Sequence, residues 1–200
     1  MEVGDSIENG SQITPLEQGT STLCWATCYA MMLQFQGRTN TPEAVKNLLD
    51  PLKSDEEFYA HLKKYRDDHP DVDPPVDPDA ERDIWGYSSV NGLQVEQMPW
   101  SAKGIGLMGY KATKLNDEDN FAWVIENHGP LWCSGHFIEE DGLHAVLAIG
   151  LTKRKSGTAV HILDPYGTYN SKWQSLRYQR LLPEFYKDLL KEYRAVQIWP

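Results

Sequence analysis

Cys24 stands where a polar stretch gives way to an apolar run. Trp25, Ala26, Ala30, Met31 and Leu33 are spaced as in a helix, which Gln36-Gly37 would end, with Gly37 suited to a left-handed C-terminal position. A thiol at a helix start meets the positive end of the helix dipole. With an imidazolium beside it, such a thiol falls from about 8.5 to about 3.5–7.5 and becomes a nucleophilic thiolate. The chemistry within its reach is attack on an acyl carbon. That attack needs a base, a group that fixes the base's tautomer, and donors for the developing oxyanion. Six histidines could supply the base; His144 lies within an apolar strand, where a histidine by itself is commonly a satisfied core residue. His136 precedes a charged turn, His128 precedes a Gly-Pro turn, and His61 and His69 belong to a polar helical region. His161 lies three residues before Asp164, so a regular strand points the two to opposite faces. Cys28, one turn into the same helix, reads as core packing.

The elements that would position these residues follow from caps and periodicity. Residues 1–17 read as an extended lead-in. Thr41-Pro42 opens a second helix with a capping Thr and Pro in the first turn, and a third is expected from Asp55 to Arg66. Residues 67–83, rich in Asp and Pro, read as an acidic surface loop, because the prolines argue against a helix. Its aspartates suggest calcium, but the central Gly and closing Glu of an EF-hand loop are missing. Asn116-Asp117-Glu118-Asp119 caps a helix to about Asn127, which Gly129-Pro130 stops. Strands are expected at Leu131–Phe137, Leu143–Thr152 and Thr158–Asp164, then a helix at Leu182–Tyr193 and a strand at Ala195–Trp199. Helices first and an antiparallel sheet after describe a single α+β domain over 1–200 with two lobes.

The islands carrying these candidates resemble the papain-like cysteine peptidases. Gln18, five intervening residues and Cys24-Trp25-Ala26 resemble the signature of oxyanion-hole Gln, short loop, nucleophile and aromatic. Gly142-Leu143-His144-Ala145-Val146 resembles the strand that carries the family's histidine, and Gly129-Pro130-Leu131 the strand start before it. Asp164-Pro165-Tyr166-Gly167 stands where the family places its Asn or Asp. The resemblance implies a papain-like fold, a Cys24–His144–Asp164 triad, Gln18 in the oxyanion hole, a protein substrate and no cofactor. Two features depart from animal and plant papains. Thr20-Ser21-Thr22-Leu23 replaces their Cys-containing segment, which removes the disulfide partner, and Asp replaces the usual Asn. Both resemble bacterial papain-fold peptidases, the effectors of plant pathogens and the toxins used between bacteria. That likeness implies delivery into the cytosol of a target cell, and a cognate inhibitor protein in the producer.

Composition narrows the partners. A net charge of −10 argues against nucleic acid. No segment approaches the roughly 18 apolar residues of a membrane span, and the polar start Met1-Glu2-Val3-Gly4-Asp5 does not resemble a signal peptide. Three cysteines cannot all pair, and such sparse usage suits a reducing compartment. The same Cys-His-Asp machinery could deamidate glutamine, transfer an acyl group or cut an amide. A different class, a zinc-binding module, would use Cys24, Cys28, Cys133 and His136, but leaves Gln18 and the His-Ala-Val strand unexplained.

Overall fold

The computed structural model describes residues 1–2, 4–18, 22–39, 41–68, 78–137, 143–166, 177–191 and 195–200. In chain order these form β1 (Ser6–Glu8), α1 (Cys24–Phe35), α2 (Pro42–Leu49), α3 (Glu56–Asp68), α4 (Pro78–Glu81), α5 (Ile84–Asn91), α6 (Met98–Ile105), β2 (Met108–Tyr110), α7 (Glu118–His128), β3 (Leu131–Gly135), β4 (His144–Arg154), β5 (Gly157–Leu163), β6 (Arg177–Leu181), α8 (Leu182–Asp188) and β7 (Val196–Ile198). Short 3-10 turns join several of them.

The expected capping chemistry is present. Thr41 accepts from the Ala44 amide at the start of α2, and Asp117 from Asn120 at the start of α7. Gly37 has the positive φ of 66° that lets the chain leave α1. That helix is buried from Cys24 through Leu33 without a polar face, so it must lie between two layers. One layer is the sheet: Trp132, Ala145, Leu147, Ile149 and Leu163 share its core cluster, with Tyr29 stacked on Trp132 at 5.3 Å. The other is the group of helices α2, α3, α5 and α6, which contributes Val45, Phe58, Ile84 and Ala102. Each fully buried side chain of this kind contributes about 1.5–3 kcal/mol.

The sheet has seven strands in the order β2-β7-β3-β4-β5-β6, with β1 added to β4, and every pairing is antiparallel. Its second face, with Cys133, Val146, Ala148, Val160 and Ile162, packs on Phe121 and Ile125 of α7 and Phe185 of α8. A register shift between Ala148 and Gly150 turns β4 over, so Ile149 faces α1 while Leu151 faces α7. At Gly150 the Ile7 carbonyl comes so near that a Cβ would run into it. The glycine is what lets β1 seat against β4.

Three places differ from the sequence reading. The lead-in contains β1. The final helix stops at Asp188, because Leu189 turns extended to bridge Gly135; residues 192–194 lie outside the described residues. Of segment 67–83, residues 69–77, with Asp71, Asp73 and Asp77 among the aspartates weighed for calcium, also lie outside them. The flanks are helical rather than loop: Asp67 and Asp68 end α3, and Pro78 occupies the first turn of α4, where it lacks no needed donor. Glu81 is fully buried, and Arg66 of α3 pairs with both Glu81 and Glu96.

Candidate active site

Cys24 is the first residue of α1, and its backbone N–H has no acceptor within the helix by geometry. No acidic residue sits in the first turn to neutralise the dipole. The neighbouring Trp25 is anchored through its indole N–H to the Ser88 carbonyl at 3.3 Å, and its own carbonyl accepts from Trp132 at 3.3 Å. These bonds fix the helix start against both the helical layer and the sheet.

His144 opens β4 opposite Gly135 and is 2% exposed. Its Nε2 meets Asp164 Oδ1 at 2.7 Å, and the Cys24 thiol lies near enough to the ring to help raise its pKa. With Nε2 engaged by the carboxylate, Nδ1 is the nitrogen left to face the thiol. Burial alone would lower the imidazole's pKa; the interactions with Asp164 and Cys24 outweigh it and lift the value to about 10. Asp164 follows β5 directly. Its Oδ1 also accepts the Tyr166 amide at 2.9 Å, and its Oδ2 the Tyr178 hydroxyl at 3.3 Å. The Tyr166 ring stands edge-on to the imidazole at 5.7 Å. Gln18 is buried, and its backbone N–H donates to the Pro165 carbonyl at 2.9 Å, which ties the segment before Cys24 to the loop after Asp164.

The fold therefore gathers Cys24, His144 and Asp164 at one place and holds Gln18 beside the same loop. The remaining candidates go elsewhere. Cys28 donates its thiol to the Ala145 carbonyl at 3.3 Å, and burial pushes its pKa well up. Cys133 is buried and likewise raised by burial. His136 is exposed. His161 contacts Thr152 at 2.6 Å and Gln179 at 3.0 Å, away from Asp164. His61 meets the Glu96 carbonyl and His128 the Trp199 carbonyl; His69, Gly142 and Gly167 lie outside the described residues. No group of three or more His, Cys, Asp or Glu gathers as a metal site among the described residues. Tyr166 and Tyr178 were not singled out in the sequence. Tyr166 lies two residues past Asp164 and could have been found by proximity. Tyr178, on a strand without clear alternation, gave no signal.

A family model for the Peptidase_C39 like family matches residues 10–187. The chain belongs to this family. Its fold is that of the papain-like enzymes: a digestive procathepsin L 3 of Tenebrio molitor larval midgut superposes with a TM-score of 0.50 at 14% identity, over 100% of this chain and 70% of that one. No curated protein matches the chain. This Peptidase_C39 like protein is thus a papain-like cysteine peptidase, a hydrolase that acts on protein substrates.

Proposed function

We propose that the chain is an endopeptidase in which Cys24 is the nucleophile, His144 the general base and acid, Asp164 the group that orients and charges His144, and Gln18 an oxyanion donor. The observation that carries this reading is the buried His144 whose Nε2 meets Asp164 Oδ1 at 2.7 Å, with Cys24 among the groups that raise the ring's pKa. His144 takes the thiol proton, and Cys24 Sγ attacks the scissile carbonyl carbon. The Gln18 side-chain amide and the Cys24 backbone N–H hold the tetrahedral oxyanion. Imidazolium His144 then gives its proton to the leaving amine as the C–N bond breaks. Water, deprotonated by His144, hydrolyses the thioester and restores the thiol. The high pKa of His144 supports the charged form that an Asp, rather than an Asn, would favour.

Cleavage of a casein-type substrate by wild type against Cys24→Ala is the test, and activity that survives the substitution removes Cys24 as nucleophile. Gln18→Ala is expected to lower turnover by about 10²–10³; full turnover would remove only the oxyanion assignment. The wider role we propose is that of a bacterial effector or interbacterial toxin, acting in a target cell's cytosol and restrained in its producer by a specific inhibitor. Three free, buried cysteines support work in a reducing compartment. Cytosolic expression that is toxic for wild type and harmless for Cys24→Ala is the expected result; equal toxicity of the two would defeat it.

A further inference from the structure

The Asp164 carboxylate has more acceptor capacity than His144 uses. His144 Nε2 and the Tyr166 amide both approach Oδ1, at 2.7 and 2.9 Å. Oδ2 is the other half of a carboxylate whose side chain is only 10% exposed. A buried ionised oxygen is costly without a donor. The donor there comes from β6: Tyr178 pairs with Ile162 across the β5–β6 ladder, on the face that residue 164 continues by alternation. Its hydroxyl reaches Oδ2 at 3.3 Å, a length at which catalytic hydrogen bonds in an unliganded site are often found. Burial first, and Asp164 next, push the phenol's pKa up, so the group remains a donor throughout the working range of the site.

We propose that Tyr178 is a positioning residue of this active site, its hydroxyl holding the second oxygen of Asp164 and drawing off part of the carboxylate's charge. The inference rests on the Cys24–His144–Asp164 reading above. It explains how an Asp is accommodated where the related papains carry an Asn: an amide would present its own NH₂ at that point, whereas a carboxylate presents a second acceptor that Tyr178 meets. A carboxylate held at both oxygens is fixed in rotation and tempered in basicity. Without the hydroxyl it would pull harder on the imidazolium proton.

The pH profile of iodoacetamide alkylation at Cys24, read by mass spectrometry, tests this without a known substrate. Its high-pH step marks loss of the His144 proton. Tyr178→Phe is expected to raise that step by about half a pH unit or more, a charge-assisted hydrogen bond being transmitted through the carboxylate. In an Asp164→Ala background, Tyr178→Phe is expected to leave the profile unchanged. A step that stays put or falls in Tyr178→Phe, or a shift of equal size without Asp164, overturns the proposal. Should Tyr178→Phe not fold by circular dichroism, the double variant decides. Folding restored by removing the carboxylate supports the pairing, and failure of both assigns Tyr178 to the core instead. If Cys24 in the wild type alkylates no faster than an ordinary thiol, the triad reading itself falls; if Cys24 behaves as expected and Tyr178→Phe does nothing, only the Tyr178 assignment does.

Discussion

The Cys24–His144–Asp164 group and the Arg66–Glu81–Glu96 group both take ionisable side chains out of water, yet they serve opposite ends. Arg66 is held by Glu81 and Glu96 within a patch built from α3, α4 and the turn at Val95–Gln97. A guanidinium does not give up its proton in a protein, so that cluster is static: a cation fixed between two anions. At the proposed active site the cation is the imidazolium that His144 becomes on taking the Cys24 proton, and its partners are a carboxylate on one side and the thiolate on the other. There the proton has somewhere to go. The first cluster joins neighbours within the helical layer. The second joins the first residue of α1 to the beginning of β4 and the end of β5, so it exists only once the helical layer has docked on the sheet.

Breaking the mobile cluster should cost activity, and breaking the static one should cost stability. The largest effect is expected for His144→Ala: a fall in kcat/KM of about 10⁴-fold or more, with cooperative thermal unfolding retained. Arg66→Met should do the reverse. It leaves two buried carboxylates facing each other, and calorimetry or denaturant titration should find a loss of about 3–5 kcal/mol, while activity per folded molecule is unchanged.

Asp164→Asn sharpens the contrast further. The Tyr166 amide already selects which atom faces His144, so an Asn should keep its oxygen on the imidazole, and we expect a loss within about 10²-fold. With the charge gone, the alkaline limb of activity, near pH 10 in the wild type from the value on His144, should move to lower pH. The direction follows because the carboxylate is what raises that pKa; a limb that does not move would mean the charge is irrelevant.

The smallest effect belongs to Glu96. Burial raises its pKa, the nearby Arg66 charge only partly offsetting it. The folded state therefore binds a proton more readily than the unfolded chain. Stability should fall as pH rises from the ordinary carboxylate range, about 4.3, through the raised value. Glu96→Gln should flatten that slope, changing Tm near neutral pH by about 2–4 °C for each kcal/mol involved.

The mobile cluster was legible because each member sits in a local pattern. Cys24 begins an apolar run, His144 opens a strand of buried residues, and Asp164 closes the next one. Helices α1, α2 and α7 were legible through Thr41, Asp117, Gly37 and Gly129. What stayed hidden was set by tertiary contact. Ile84–Asn91 contains Gly86, Ser88 and Ser89, poor helix formers in isolation, and holds together by packing and by the Asp83 cap on Gly86. Arg177–Leu181 is a half-buried outer strand whose residues do not alternate cleanly between faces, so nothing in Arg-Tyr-Gln-Arg-Leu announces a strand or a link to Asp164. Glu81 looked like one acid among many, because its partners Arg66 and Gln97 come from other parts of the chain.

Gly150 bears on when this molecule acquires its activity during synthesis. By admitting the Ile7 carbonyl, it lets β1 lie end to end with β3 along the same side of β4. The segment between β1 and α1 carries Gln18, and β4 carries His144. That closure joins residues made earlier to residues made much later, and long-range pairings of this kind form late and slowly. The thiol thus leaves the ribosome well before His144 and stays without its base until that strand has followed. A single unbranched residue lets that delay end in a seated strand, so Gly150→Val should leave a chain that is translated normally but assembles its active site poorly.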